Sequence, residues 1–200
     1  IAALITEDTV VVKSAPYIEP TASGLMKAFA VEFYKNGKLL RNKIKNHPRY
    51  PYHLLREEMQ EFILDKLQLL IERKLIKGIG ENGTEYTVIA QILDLPKEIL
   101  RLIQKFDFTK KNPKLIYINT GETMISLQDS ILVTFLNLAG FDILFFVPTG
   151  YQSVENYFAE KLMEEHQIGE YKYDMQVPDL NNISTNSTRP SWRRKLFRRG

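Results

Sequence analysis

The 200-residue sequence contains no cysteine. This absence excludes disulfide bonds, thiolate zinc sites, iron–sulfur clusters and a cysteine nucleophile, and it fits a reducing compartment. Only three histidines are present, without metal-ligand spacing, so no metal site is predicted. No apolar run approaches the ~20 residues that a membrane-spanning helix needs, and no secretory signal is recognisable.

The common catalytic and phosphate-binding motifs are also missing. There is no Walker loop and no dinucleotide-binding fingerprint. Ser153 lacks the Gly-x-Ser-x-Gly elbow of hydrolases, and a helix N-cap is its simpler role. Motifs therefore name neither a reaction nor a cofactor.

What is present is enough apolar material for a globular core, with 44% apolar and 26% charged residues. The net charge of +3 is unevenly distributed. Residues 189–199 contain six basic residues and no acid, and without them the net charge falls from +3 to −3. Because residues 181–188 are rich in Asn, Ser and Thr, 181–200 is predicted to be a flexible basic tail.

A second basic block, residues 35–49, also contains no acid. The two blocks suggest nucleic-acid binding, but residues 97–105, which would be the recognition helix, are too apolar for that role. Nucleic acid is therefore not an expected partner. The block at 35–49 is typical of a solvated face, and Lys43 and Arg49 are alternative candidates for steering an anionic substrate.

The first half of the chain is predicted to be mostly helical. Residues 1–21 are interpreted as a strand (9–13) and a loop that end a missing N-terminal region, since the chain begins at Ile1 as if inside a structure. Residues 22–109 form the helical segment. Its predicted helices are 22–34, 53–76, 86–93 and 97–105.

The second half changes to an alternation of apolar strands and helices over residues 110–180. Its predicted elements are a strand at 115–118, a helix at 123–139, a strand at 143–147 and a helix at 152–166. This βαβα order predicts an α/β protein with a Rossmann-like parallel sheet covered on both faces. The strand at 9–13 is expected to join the same sheet.

Both apolar strands of this half end in a Thr-Gly dipeptide. The first continues as Asn119-Thr120-Gly121-Glu122 and the second as Pro148-Thr149-Gly150-Tyr151. Ligands of open parallel sheets bind beyond the carboxyl ends of strands, where glycine and a following helix N-terminus favour phosphate. The predicted ligand-binding residues are Asn119, Thr120, Gly121, Thr149, Gly150 and Tyr151. Ordinary turn chemistry is the alternative at either loop.

Two carboxylates lie near this predicted mouth. Glu122 and Glu155 are candidates for a general acid or base. The alternative is that each only complements the dipole of a first helical turn.

Several stretches resemble one bacterial family, the YceG-like proteins of tellurite-resistance and general stress-response gene clusters. The resemblance lies in 140–155 (GFDILFFVPTGYQSVE), in Phe106–Thr109 leading into 112–118, and in 48–53 before the long helix. It implies a cytoplasmic member of a biosynthetic module that works with a TelA-like toxic-anion resistance protein. Members of the family are usually longer, so this chain resembles their C-terminal portion. The family's chemistry is not established, so the resemblance implies no catalytic residues and no cofactor.

The leading expectation is therefore a stress-response protein that binds a phosphorylated small molecule at the two Thr-Gly loops. If the protein is an enzyme, a transferase acting on a nucleotide or phosphosugar is the favoured class. The alternative is a non-catalytic partner or scaffold of the same system. The substrate and the oligomeric state stay open.

Overall fold

A computed structural model describes residues 1–13, 15–19, 24–105, 111–151 and 153–177. In the described ranges the strands are β1 (Thr9–Val12), β2 (Tyr34–Lys35), β3 (Lys38–Leu39), β4 (Lys114–Ile118) and β5 (Asp142–Phe146). The α-helices are α1 (Gly24–Ala30), α2 (Arg41–Lys45), α3 (Glu57–Glu72), α4 (Thr84–Ile92), α5 (Lys97–Lys105) and α6 (Leu127–Leu138). Short 3₁₀ turns occur at Ala2–Leu4, Val31–Phe33 and Val154–Tyr157. The mixed α/β class is confirmed.

The centre of the fold is a three-stranded parallel sheet in the order β1-β4-β5. Runs of β-branched and aromatic residues form these strands because such side chains pack well on a pleated surface. Val10, Leu115 and Ile143 lie side by side in register. The prediction that the 9–13 strand joins the sheet is therefore confirmed.

The two apolar strands of the second half differ in burial. Leu115, Ile116, Tyr117 and Ile118 of β4 are at most 2% exposed, as expected for a central strand covered on both faces. Every residue of β5 is only partly buried. In the described part of the chain β5 pairs with β4 alone, so it lies at the edge of the sheet.

Helix α6 connects β4 to β5 and is buried along most of its length. It contacts β5, α3 and α4, so it lies between the sheet and the helical layer. It begins at Leu127 rather than at residue 123, because Ser126 is its N-cap and accepts a hydrogen bond from the Asp129 N–H at 3.0 Å. Residues 119–126 are consequently one long loop.

The long helix α3 is shorter than the predicted 53–76. Its apolar stripe is buried as expected, with Ile63, Leu67 and Leu70 at 0% exposure. Ahead of it the chain forms turns, since the buried Tyr52 hydroxyl donates to the Ile92 carbonyl and accepts from the Leu95 N–H. Helices α4 and α5 lie close to their predicted bounds.

The basic block folds against acids of α3. The predicted 22–34 helix ends early, and Asn36-Gly37 forms the turn of the β2–β3 hairpin, with positive φ at both residues. Further on, Arg41 pairs with Glu61 (2.6 Å) and Asp65 (2.7 Å). Much of the block's charge is therefore matched by neighbouring carboxylates.

The predicted helix at 152–166 is wrong. Only the 3₁₀ turn Val154–Tyr157 forms, and described residues 159–177 have no regular helix or strand. The physical reason is pairing with the segment after α3. Phe158 forms a β-bridge with Ile76, the Lys77 N–H donates to the Tyr157 carbonyl, and the Ala159 N–H donates to the Leu75 carbonyl. The predicted basic tail, 181–200, lies outside the described residues.

Candidate functional site

The loops after β4 and β5 lie next to each other at one edge of the sheet. Because the two strands are parallel, their carboxyl ends meet there. The Asn119 N–H donates to the Phe146 carbonyl at 2.9 Å. The Ile125 N–H donates to Ser153 Oγ at 3.1 Å, and both residues are nearly fully buried. Ser153 thus joins the two loops, and its hydroxyl does not cap the following turn.

The first residue of the loop after β4 forms a hydrogen bond across that loop. Asn119 is buried, and its Nδ2 donates to the Thr123 carbonyl at 2.9 Å. Thr120 is half-buried, whereas Gly121 and Glu122 are exposed. Among the described residues, the successive N–H groups of Thr120, Gly121 and Glu122 donate to no partner. The loop therefore presents three open backbone donors.

The expectation that each Thr-Gly leads straight into a helix is wrong. The first dipeptide is separated from α6 by the loop that runs to Ser126, and the second is followed only by a 3₁₀ turn. A helix dipole therefore does not act directly at either dipeptide, because its influence is confined to the first turn. Any anion held here would rest on loop amides.

Two amides of the loop after β5 are bonded within the loop itself. The Gly150 N–H donates to the Val147 carbonyl at 3.0 Å, and the Tyr151 N–H donates to Thr149 Oγ1 at 3.2 Å. Gly150 has a φ of +71°, which glycine adopts without strain. Turn chemistry therefore accounts for this dipeptide.

Residues from later in the chain cover the same loop. A Cβ placed on Gly150 would lie 2.6 Å from Cδ1 of Tyr171, so the tyrosine ring rests on the glycine. The Lys172 N–H donates to the Pro148 carbonyl at 2.8 Å. Ligand access to Gly150 therefore depends on residues 171 and 172.

The other predicted site residues are dispersed. Glu122 is exposed in the first loop, and Glu155 is half-buried in the turn after the second. Lys43 pairs with Glu32 at 2.8 Å, which lowers the pKa of that carboxyl, and Arg49 lies over the Phe29 ring at 5.7 Å. These two cations have their described partners in the helical layer rather than on the strand-end loops.

A buried carboxylate that was not predicted from the sequence binds the segment that follows β1. Asp129, 0% exposed, accepts hydrogen bonds from the N–H groups of Tyr17 (3.1 Å) and Ile18 (3.0 Å), which follow β1. Burial raises the pKa of Asp129, and these two hydrogen bonds oppose the rise. The signal was Ser126-x-x-Asp129, the pattern of a capping box. In this structure the Asp129 carboxylate instead accepts hydrogen bonds from the loop after β1.

Two tyrosines extend this buried cluster. The Tyr17 hydroxyl donates to Glu98 of α5. Burial, and then the charge of Asp129, raise the pKa of Tyr117. The Tyr117 hydroxyl lies near that carboxylate but meets no described group at hydrogen-bonding geometry. Asp129 and Tyr117 are buried, whereas Tyr17 is half-buried and Glu98 is exposed. The buried carboxylate therefore holds the segment after β1 against α6.

No group of three His, Cys, Asp or Glu side chains in the described ranges could hold a metal ion. No helix in that part of the chain has both the length and the apolarity to cross a bilayer.

The fold and site define a mixed α/β protein with adjacent loops at the carboxyl edge of a parallel sheet. The chain belongs to the YceG family, since the family model described as the YceG domain matches residues 3–188. It is similar to "Uncharacterized protein YceG" of Bacillus subtilis (strain 168), with 23% identity over 180 residues. That match covers 87% of this chain and 34% of the relative, so the chain spans about a third of the relative's length. No solved structure matches.

Proposed function

We propose that this protein binds a phosphorylated small molecule at the loop after β4, as a cytoplasmic component of a bacterial stress-response module associated with tellurite resistance. The observation that carries the proposal is the set of three successive N–H groups, Thr120 to Glu122, that donate to no described partner. Successive loop amides are a recurring cradle for phosphate oxygens. The position also fits the rule that ligands of parallel sheets bind beyond the strand ends.

In this proposal, β4, α6 and β5 act as a Rossmann-like unit. The amides of residues 120–122 hold the phosphate, and the Thr120 hydroxyl adds a donor. Gly121 leaves the approach open, since a Cβ there would meet only Thr123, at 3.9 Å. Thr149, Gly150 and Tyr151 form the opposite wall.

The surroundings allow a reaction of the transferase class on a nucleotide or phosphosugar. Glu122 carries the last of the three open amides and is the better placed acid or base, with Glu155 as the second candidate. Lys43 and Arg49 would act only by long-range attraction, because their described contacts lie elsewhere. A TelA-like toxic-anion resistance protein is the proposed partner in the module.

A second candidate function is a non-catalytic partner or scaffold of the same system. It is favoured by the loop after β5, where the Gly150 and Tyr151 N–H groups are bonded within the loop and Tyr171 covers the glycine. In that case the Thr-Gly dipeptides are only turns.

Binding measurements on a charge-matched pair of variants test the proposal. The native chain is titrated calorimetrically with inorganic phosphate, AMP and UDP-glucose, and its melting temperature is recorded with each. Gly121→Asp places a carboxylate beside the amides and is expected to abolish binding. Leu54→Asp adds the same charge at a side chain that is 87% exposed on the helical layer, and binding is expected to persist. Absence of binding across the panel would favour the scaffold.

A further inference from the structure

Residues 164–173, the strap, cross from the helical layer back to the loop after β5. Before them, Leu162 and Met163 pack on the core. The strap itself is exposed throughout. Between residues 164 and 170 its described polar contacts are local, Gln167 to Gly169 and His166 to Glu164. The strap is therefore attached mainly at its two ends.

The far attachment is at the proposed site. Tyr171 lies over Gly150, and a Cβ there would come within 2.9 Å of the ring's Cζ as well as 2.6 Å of Cδ1. One backbone hydrogen bond, from Lys172 N–H to the Pro148 carbonyl, completes the attachment. Tyr171 nevertheless stays 57% exposed. Segments with few buried contacts and exposed hydrogen bonds open at low cost.

We infer that the strap regulates access to the site, with the Tyr171 ring seated on Gly150 in the closed form and lifted off when a phosphorylated ligand contacts both loops. The inference rests on the proposed function. A bound ligand would need the face of Gly150 that the ring now covers. Because only molecules with an open strap can bind, the apparent affinity equals the intrinsic affinity multiplied by the fraction of molecules whose strap is open.

Removing the ring while sparing the loops tests the inference. Tyr171→Ala is expected to tighten binding of AMP on the order of tenfold, because the ligand no longer has to displace the ring from Gly150. The Lys172 amide should exchange with deuterium faster in the same variant. Tyr171→Phe keeps the ring and should match the native chain. Tyr173→Ala removes a 66% exposed tyrosine of the same strap and should also match it.

The outcomes separate the regulation from the binding. Equal affinity of the native chain and Tyr171→Ala would overturn the regulation and leave the binding proposal standing. If the Lys172 amide exchanges with deuterium at the same rate in Tyr171→Ala and in the native chain, the ring does not hold the strap closed and the inference is overturned. No binding by the native chain or any variant would overturn the proposed function and the regulation with it.

Discussion

The two strand-end loops share a Thr-Gly dipeptide and adjacent positions, yet they have different local structures. At the first, Gly121 has no left-handed φ and the amides of 120–122 are open. At the second, Gly150 has a φ of +71°, its N–H is bonded within the turn, and Tyr171 covers it. The dipeptide marks where a strand ends, while the surrounding contacts decide whether the amides of the loop stay open.

The largest difference between the two loops is expected when the same substitution is made at both glycines. Gly150→Val is expected to cost about 3 kcal/mol, because a β-branched residue is strained at that φ and its Cβ meets the Tyr171 ring. Gly121→Val is expected to cost no more than about 0.5 kcal/mol, as for an exposed site. Urea denaturation of both variants measures the two costs. Equal losses would show that the loops are equivalent after all.

A smaller effect is expected where the two loops are joined. Ser153→Ala removes the acceptor of the Ile125 N–H in a buried site, which is expected to cost about 2 kcal/mol. Ser126→Ala, on the same first loop, removes only the N-cap of α6 and is expected to cost about 1 kcal/mol. Both are measured by urea denaturation. A smaller loss at Ser153 than at Ser126 would contradict the role assigned to the Ile125 bond.

Much of the fold was predictable because the strands carry unambiguous local signals. Val10 to Val12 and Leu115 to Ile118 are apolar runs rich in β-branched residues, and both form parallel strands in the expected sheet. The failure at 152–166 has a specific cause. Val154, Phe158 and Leu162 are spaced by four as in a helix, but Phe158 pairs with Ile76, a contact distant in sequence that no local pattern carries.

The candidate site was predictable only in position. Strand ends locate both loops, since the carboxyl ends of adjacent parallel strands meet. The cover on Gly150 was not predictable, because Tyr171 lies in a segment without a pattern of its own. Two buried side chains that hold the strand-end segments, Asp129 and Ser153, resemble ordinary caps in sequence, and their partners are set by tertiary structure.

The third strand-end segment, after β1, is expected to show a smaller effect, and this effect depends on pH. Asp129 has a folded-state pKa above its ordinary value of 3.8 because it is buried. Its contribution to stability is therefore fully present below about pH 4 and is lost as pH rises through the folded-state pKa. Asp129→Asn keeps an oxygen that can accept from Tyr17 and Ile18 but removes the ionisation.

The variant's unfolding free energy, relative to the native chain, should therefore improve as pH rises from about 3.5 to 7. Asp129→Ala is the control, because it leaves both N–H groups without an acceptor and should be less stable than Asp129→Asn at every pH. Urea denaturation at several pH values gives all three profiles. If the native chain and Asp129→Asn keep a constant difference across this range, burial does not raise the pKa of Asp129, and only the loss in Asp129→Ala then measures how strongly the carboxylate holds the segment after β1.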